Sequence, residues 1–266
     1  MSASLSRLTR PDAHIAFWDS GGGGPAVVLC HGAGMDRTMF EAPAAALVDA
    51  GYRVVSWDLR GHGRSTLAAA SRFTAADILG DLTALLDRCG VERAVLVGHS
   101  LGGNLVQAFA RTRTERTAGL VVLDSTWNAG PLTRWERWGL RLAAPSLALV
   151  PARSLPGIMA RASAVSPSAI ARTEATFARM PKRLFLDVWR ATVSFVEPDP
   201  AYHCPVPLAL VRGAADRTGN IATAMPRWAL AEGIDEHVIP DAGHIVTWDA
   251  PEEASRVLLS TLDGWR

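Results

Sequence analysis

The pentapeptide Gly98-His99-Ser100-Leu101-Gly102 constrains this chain more than any other stretch. It sits between Arg93–Val97, a short run of strand character, and a helical pattern from about Gly102 to Arg111. A Gly-x-Ser-x-Gly turn between strand and helix lifts the serine hydroxyl above a sheet, and side chains at its glycines would collide with neighbouring backbone. The helix that follows points its N-terminus, a partial positive charge, at the same spot. Ser100 is therefore the candidate nucleophile, and the turn demands strands alternating with helices around it.

The remaining sequence supplies them. His14–Ser20, Ala26–His31 and Tyr52–Asp58 read as strands, with a glycine turn at Gly21–Gly24. Ile78, Leu82, Leu85 and Leu86 recur on one face of a helix with Thr74 as N-cap, ending near Cys89 with Gly90 as its C′ residue. Gly119–Leu123, Pro207–Arg212 and Glu236–Ile239 are further strands, and a closing helix covers roughly Pro251–Leu262. The expected fold class is α/β, a mostly parallel central sheet with helices on both faces and a helical cap insertion. The insertion is placed between Trp127 and about Pro200, where no strand is predicted. There Trp135, Trp138 and Leu142 keep helical spacing, and Ser166-Pro167 reads as an N-cap and N1 proline opening a helix towards Met180. Pro181 opens another, with Leu184, Phe185, Val188 and Trp189 on one face. Residues 1–126 and 201–266 then form the core and 127–200 the cap.

A serine hydroxyl is a weak nucleophile without a base. Among the seven histidines, His244, in Asp241-Ala242-Gly243-His244, lies in a glycine-containing loop after a late strand and before the last helix. The base needs an acid to fix its tautomer. Asp216, after the strand Pro207–Arg212, is the candidate because it falls between nucleophile and histidine in chain order. Asp124, at the end of Gly119–Leu123, competes for that role; otherwise it is a turn residue leading into the cap. Oxyanion donors are expected from the amides of Leu101 and of Ala33, in the loop His31-Gly32-Ala33-Gly34.

Together with the segment Asp58-Leu59-Arg60-Gly61-His62-Gly63-Arg64-Ser65, these residues resemble the α/β-hydrolase superfamily, in its branch with a helical cap. The resemblance implies a serine hydrolase with no cofactor and no metal, cleaving carboxylic esters, lactones or thioesters through an acyl-enzyme. The same triad also serves cofactor-free perhydrolases of the haloperoxidase type, carbon–carbon bond hydrolases and slow hydrolytic ligand receptors. Departures narrow the field. Epoxide hydrolases and haloalkane dehalogenases of this fold carry aspartate where Ser100 stands, and hydroxynitrile lyases use a lysine near the histidine. Carbon–carbon bond hydrolases usually have asparagine before the serine and tryptophan after the histidine, where this chain has His99 and Ile245. Within the cap region, Trp127, Trp135, Trp138, Phe185 and Trp189, with Phe177, are candidates to line an apolar or aromatic pocket; plain packing is the alternative for each.

Charge and cysteine usage exclude other classes. A net charge of +1 offers no footprint for nucleic acid or for electrostatic membrane docking. Cys30, Cys89 and Cys204 are odd in number and lack metal-ligand spacing, which argues against a disulfide framework or zinc site and fits a reducing compartment. Met1–Ala16 lacks the apolar stretch of a secretory signal, and no run is long enough to span a bilayer. A cytoplasmic location, a small ester-type substrate and no nucleic-acid or membrane partner are the expectations.

Overall fold

Alternation at period two builds the central sheet. In the strand β3 (Ala26–Cys30), Val28 and Cys30 belong to one apolar cluster and Val27 and Leu29 to another, so successive side chains feed cores on opposite faces. The same split recurs in β6 (Ala94–His99), with Leu96 on one side and Val97 on the other, and in β7 (Thr117–Leu123) with Val122 and Val121. Strands buried on both faces need helices on both faces.

The computed structural model describes residues 5–266; residues 1–4, the start of the expected core segment, lie outside them. Their sheet has nine strands, of which eight run in the order β1-β2-β4-β3-β6-β7-β8-β9. The others are β1 (Ser6–Arg10), β2 (Ala13–Asp19), β4 (Arg53–Trp57), β5 (Thr66–Leu67), β8 (Leu208–Gly213) and β9 (Glu236–Ile239). Pairing is parallel from β4 through β9, while β2 runs antiparallel to β1, β4 and β5. The α/β class with a mostly parallel sheet is as the sequence indicated.

Helices α2 (Ala75–Arg88), α3 (Leu101–Thr112) and α8 (Ile221–Glu232) cover one face through Leu82, Leu105 and Met225. On the other lie α1 (Glu41–Asp49), the short α9 (Val246–Asp249) and α10 (Pro251–Asp263), through Leu47, Val246 and Leu258. Burying each such side chain contributes about 1.5–3 kcal/mol. Thr74 caps α2 by accepting the Asp77 amide, and Gly90 beyond its end takes φ +61, as its position requires.

Between β7 and β8 the chain forms α4 (Arg134–Leu149), α5 (Leu155–Ser163), α6 (Pro167–Phe177) and α7 (Lys182–Ser194), with no strand among them. A capping box closes the start of α4: Thr133 accepts the Glu136 amide and Glu136 accepts the Thr133 amide. Ser166 caps α6, accepting from the Ala169 amide. Lys182, the one lysine, donates to the Ala148 and Val150 carbonyls at the C-terminal end of α4, tying α7 to it. No described helix is long and apolar enough to cross a membrane. All three cysteines are free thiols.

Candidate active site

Every candidate catalytic residue follows the C-terminal end of a parallel strand, where ligands gather in sheets of this kind. Ser100 lies at the turn after β6, Ala33 in the loop after β3, Asp124 directly after β7, Asp216 after β8 and His244 after β9. The turn at Ser100 is strained, with φ +51 and ψ −117, in a region that costs a non-glycine residue about 1–3 kcal/mol. The surroundings hold it there: the Ser100 amide donates to the Leu123 carbonyl at 3.0 Å, and the Ser100 carbonyl accepts from Ser125 Oγ at 2.7 Å. The flanking glycines are a steric requirement. A Cβ at Gly98 would collide with the Gly102 carbonyl, and one at Gly102 with the Cys30 carbonyl of β3.

His244 donates Nδ1–H to Asp216 Oδ2 at 3.0 Å, and the other Asp216 oxygen accepts the Thr218 amide at 2.7 Å. Burial alone would raise the Asp216 pKa; the His244 charge and these hydrogen bonds outweigh it and hold the carboxyl below its ordinary value. With Asp216 ionised, the His244 proton sits on Nδ1 and the lone pair on Nε2. His99, beside Ser100, is buried and donates Nε2–H to the His244 carbonyl at 2.7 Å. Burial, helped by the neighbouring His244, lowers its pKa to about 3, so it stays neutral and serves as a brace. Asp249 braces the same loop from the far side, accepting the amides of Gly243, Val165 and Ser166. Neither brace was anticipated as part of the site. His99 was placed beside the serine from sequence, but its bond to the histidine loop depends on β6 and β9 meeting through turns that the sequence does not display.

The loop carrying Ala33 is shaped by His31. The Leu59 amide donates to His31 Nε2 at 2.9 Å, so its proton is on Nδ1, which donates to the Gly32 carbonyl at 2.8 Å. Among the described residues, no acceptor takes the amides of Ala33 or Leu101. Asp124 is fully buried beside the pair: one oxygen of Asp124, one of Asp216 and a His244 ring nitrogen lie within 4.8 Å of one another.

Ser100 and His244 open into a cavity of about 380 Å³. Phe177, Phe185 and Trp189 form an aromatic wall, with ring centroids 5.6 and 6.2 Å apart along the series. One part of the wall is polar: Thr126 Oγ1 donates to Asn220 Oδ1 at 3.1 Å, and Asn220 Nδ2 donates to Glu136 Oε1 at 3.0 Å. Hydrogen bonds from Asn220 and Thr133 lower the Glu136 pKa, so this wall carries an anion.

Three of the expected pocket residues lie elsewhere. Trp135 and Trp138 are 85% and 58% exposed on the outer stripe of α4, whose inner stripe of Glu136, Gly139, Leu140 and Ala143 faces the cavity instead. Helical spacing shows that side chains share a stripe without showing which stripe turns inward. Trp127 stacks on Trp228 of α8 with ring planes 3° apart, outside the main cavity, and so packs against that helix.

A family model described as "Alpha/beta hydrolase family" matches residues 27–257, from within β3 to within α10, and takes in every residue of this site. The chain belongs to the alpha/beta hydrolase family. An epoxide hydrolase of Caballeronia sordidicola is 41% identical over 96 residues, 36% of this chain but only 29% of that relative's length. The structure of a thermophilic esterase from Thermogutta terrifontis superimposes with a TM-score of 0.80 at 27% identity, covering 99% of each chain. The enol-lactonase of Burkholderia xenovorans LB400 superimposes with a TM-score of 0.81 at 20% identity, over 97% of this chain and 100% of that chain, which speaks for the fold alone.

Proposed function

We propose that this α/β-hydrolase is a serine hydrolase of neutral carboxylic esters, lactones or thioesters. One observation carries the proposal: the 3.0 Å bond from His244 Nδ1 to a buried, ionised Asp216, in a site that Ser100 shares. That bond leaves His244 Nε2 as a base on the cavity side. In the cycle we infer, Nε2 takes the Ser100 proton as Oγ attacks the carbonyl carbon. The amides of Ala33 and Leu101 hold the resulting oxyanion, with the N-terminal end of α3 adding favourable potential. His244 then protonates the leaving alcohol or thiol. Water, deprotonated by the same histidine, attacks the acyl-enzyme and frees the acid. None of these steps calls on a cofactor or a metal.

Two features support the substrate class. The wall of Phe177, Phe185 and Trp189 suits an apolar or aromatic acyl group, and the Glu136 anion disfavours a substrate bearing a carboxylate of its own. Residues 127–200 act in this account as a cap over the core of 1–126 and 201–266, since α4, α5, α6 and α7 all contribute to the cavity wall. Epoxide hydrolysis is disfavoured despite the likeness to an epoxide hydrolase, because Ser100 stands where such enzymes of this fold use aspartate. Three free thiols support a cytoplasmic location.

The test is a panel of esters, lactones and thioesters of increasing acyl length. The account expects many turnovers per molecule on apolar members, lost in Ser100→Ala. A single slow event per molecule on every member would make the chain a hydrolytic receptor instead.

A further inference from the structure

Two carboxyl groups converge behind His244, and the proposed cycle uses one. Asp124 is 0% exposed and sits at φ +43, its amide donating to the Val211 carbonyl and its Oδ1 accepting the Gly213 amide at 2.8 Å. Both bonds anchor it to β8, the strand that delivers Asp216. Its second oxygen, Oδ2, is buried and meets no donor. Asp216, by contrast, has both oxygens occupied by donors, the His244 ring and the Thr218 amide. An ionised Asp124 would thus leave a buried anionic oxygen unpaired next to a second carboxylate, an arrangement whose cost is relieved by one proton shared between the two.

We propose that Asp124 is a neutral carboxylic acid in the working enzyme, donating its Oδ2 proton to the Asp216 carboxylate, and that it thereby positions and tempers the acid that holds His244. This rests on the triad assignment for its catalytic consequence, though not for the location of the proton. Burial, and then the charge of Asp216, raise the Asp124 pKa well above the carboxylate range. The opposing groups are few. Arg212 on β8 acts in the other direction, but its guanidinium is engaged by Glu236 and the Gly213 carbonyl. His244, after β9, is already committed to Asp216, and His99 beyond it is neutral.

The charge arithmetic explains why a second aspartate would be kept so close. Two ionised carboxylates would over-stabilise the imidazolium and hold the base protonated, whereas one carboxylate with a hydrogen-bond donor at its back is a weaker partner. Asp124 is accordingly a positioning residue, acting through Asp216 and touching no substrate.

The sign of the stability effect follows from linkage. A group whose folded pKa is raised binds its proton in the native state after the unfolded chain has lost it. Its neutrality therefore weighs against folding above the unfolded aspartate pKa of about 3.9, and not below it. Asn at this position keeps an acceptor for Gly213 and a donor for Asp216 without that penalty. The experiment compares full-length wild type, Asp124→Asn and Asp124→Ala. The wild-type infrared spectrum at neutral pH should show a protonated-carboxyl C=O stretch that is sensitive to deuterium and absent from Asp124→Asn. Asp124→Asn should melt above wild type at pH 7 and lose that advantage near pH 4. It should cost less than about tenfold in kcat, with the acid limb of kcat/KM in place. Asp124→Ala, lacking the donor, should move that limb to higher pH. Absence of the carboxyl band, or a melting difference that does not vary with pH, would overturn the proposal. So would stoichiometric divalent cation bound between the two carboxylates. Band and melting curves need no substrate. If both behave as expected while no ester is turned over, it is the hydrolase assignment that fails.

Discussion

Asp216→Asn is the substitution for which the structure dictates a mechanism of failure. The Thr218 amide, 2.7 Å from Asp216 Oδ1, accepts no proton, so it forces the new amide to turn its oxygen towards Thr218. The amide NH₂ then faces His244 Nδ1, now 3.0 Å from a donor where it had an acceptor. The imidazole answers by moving its proton to Nε2, the nitrogen that must be unprotonated to receive the Ser100 proton. The ion pair that stabilises the imidazolium is lost in the same stroke. The corresponding change in a serine protease costs about 10⁴-fold in kcat, which is about 5.4 kcal/mol of barrier at 1.36 kcal/mol per tenfold. We expect a loss of that order, measured as kcat on the best ester of the panel. Thermal melting should first confirm that the variant is folded. A loss below about tenfold in a folded protein, or a larger loss in Asp124→Asn than in Asp216→Asn, would refute this reasoning and move the acid to Asp124.

The cavity makes two further predictions. Phe185→Ala and Trp189→Ala should each change the ranking of acyl chain lengths, since both side chains form its wall, while Trp135→Ala on the outer stripe of α4 should leave the ranking alone; a uniform fall in stability with an unchanged ranking would reduce the first two to packing. Glu136→Gln should lower KM for substrates carrying a free carboxylate and leave neutral esters within about threefold, because it removes an anion while keeping an acceptor for Asn220; equal effects on both classes would show that the anion is not read by the substrate.

What could be read beforehand, and what could not, divides along physical lines. The Ser100 turn was legible because close approach of the Cys30 and Gly102 carbonyls leaves room for glycine alone, and a steric requirement of that kind writes itself into residue identity. Strands buried on both faces were legible as short β-branched runs. The edge strand β1, Ser-Arg-Leu-Thr-Arg, was not, because an edge needs no apolar run. Helix α8 carries Pro226 in its interior, a residue that signals interruption, and α1 carries Pro43 in its first turn, so neither helix announced itself. Its place after the late strand pointed to Asp216, since Asp124 also falls between Ser100 and His244 in chain order. That Asp124 would lie within 4.8 Å of it followed only from β7 and β8 being sheet neighbours, which linear order does not encode. For α4, the periodic tryptophans advertised an apolar face that the fold turns outward, while the cavity is lined by an adjoining stripe of Glu136, Gly139, Leu140 and Ala143 that carries little hydrophobic signal.

The central claim is that Ser100 is a nucleophile activated by His244. It is tested most directly by covalent capture with a fluorophosphonate, whose phosphorus accepts the same attack as a carbonyl. The account predicts stoichiometric labelling that maps to Ser100 by peptide mass. Labelling should be abolished in Ser100→Ala and slowed at least about 10³-fold in His244→Ala. Labelling at another residue, or at the wild-type rate in the folded His244→Ala protein, would contradict it.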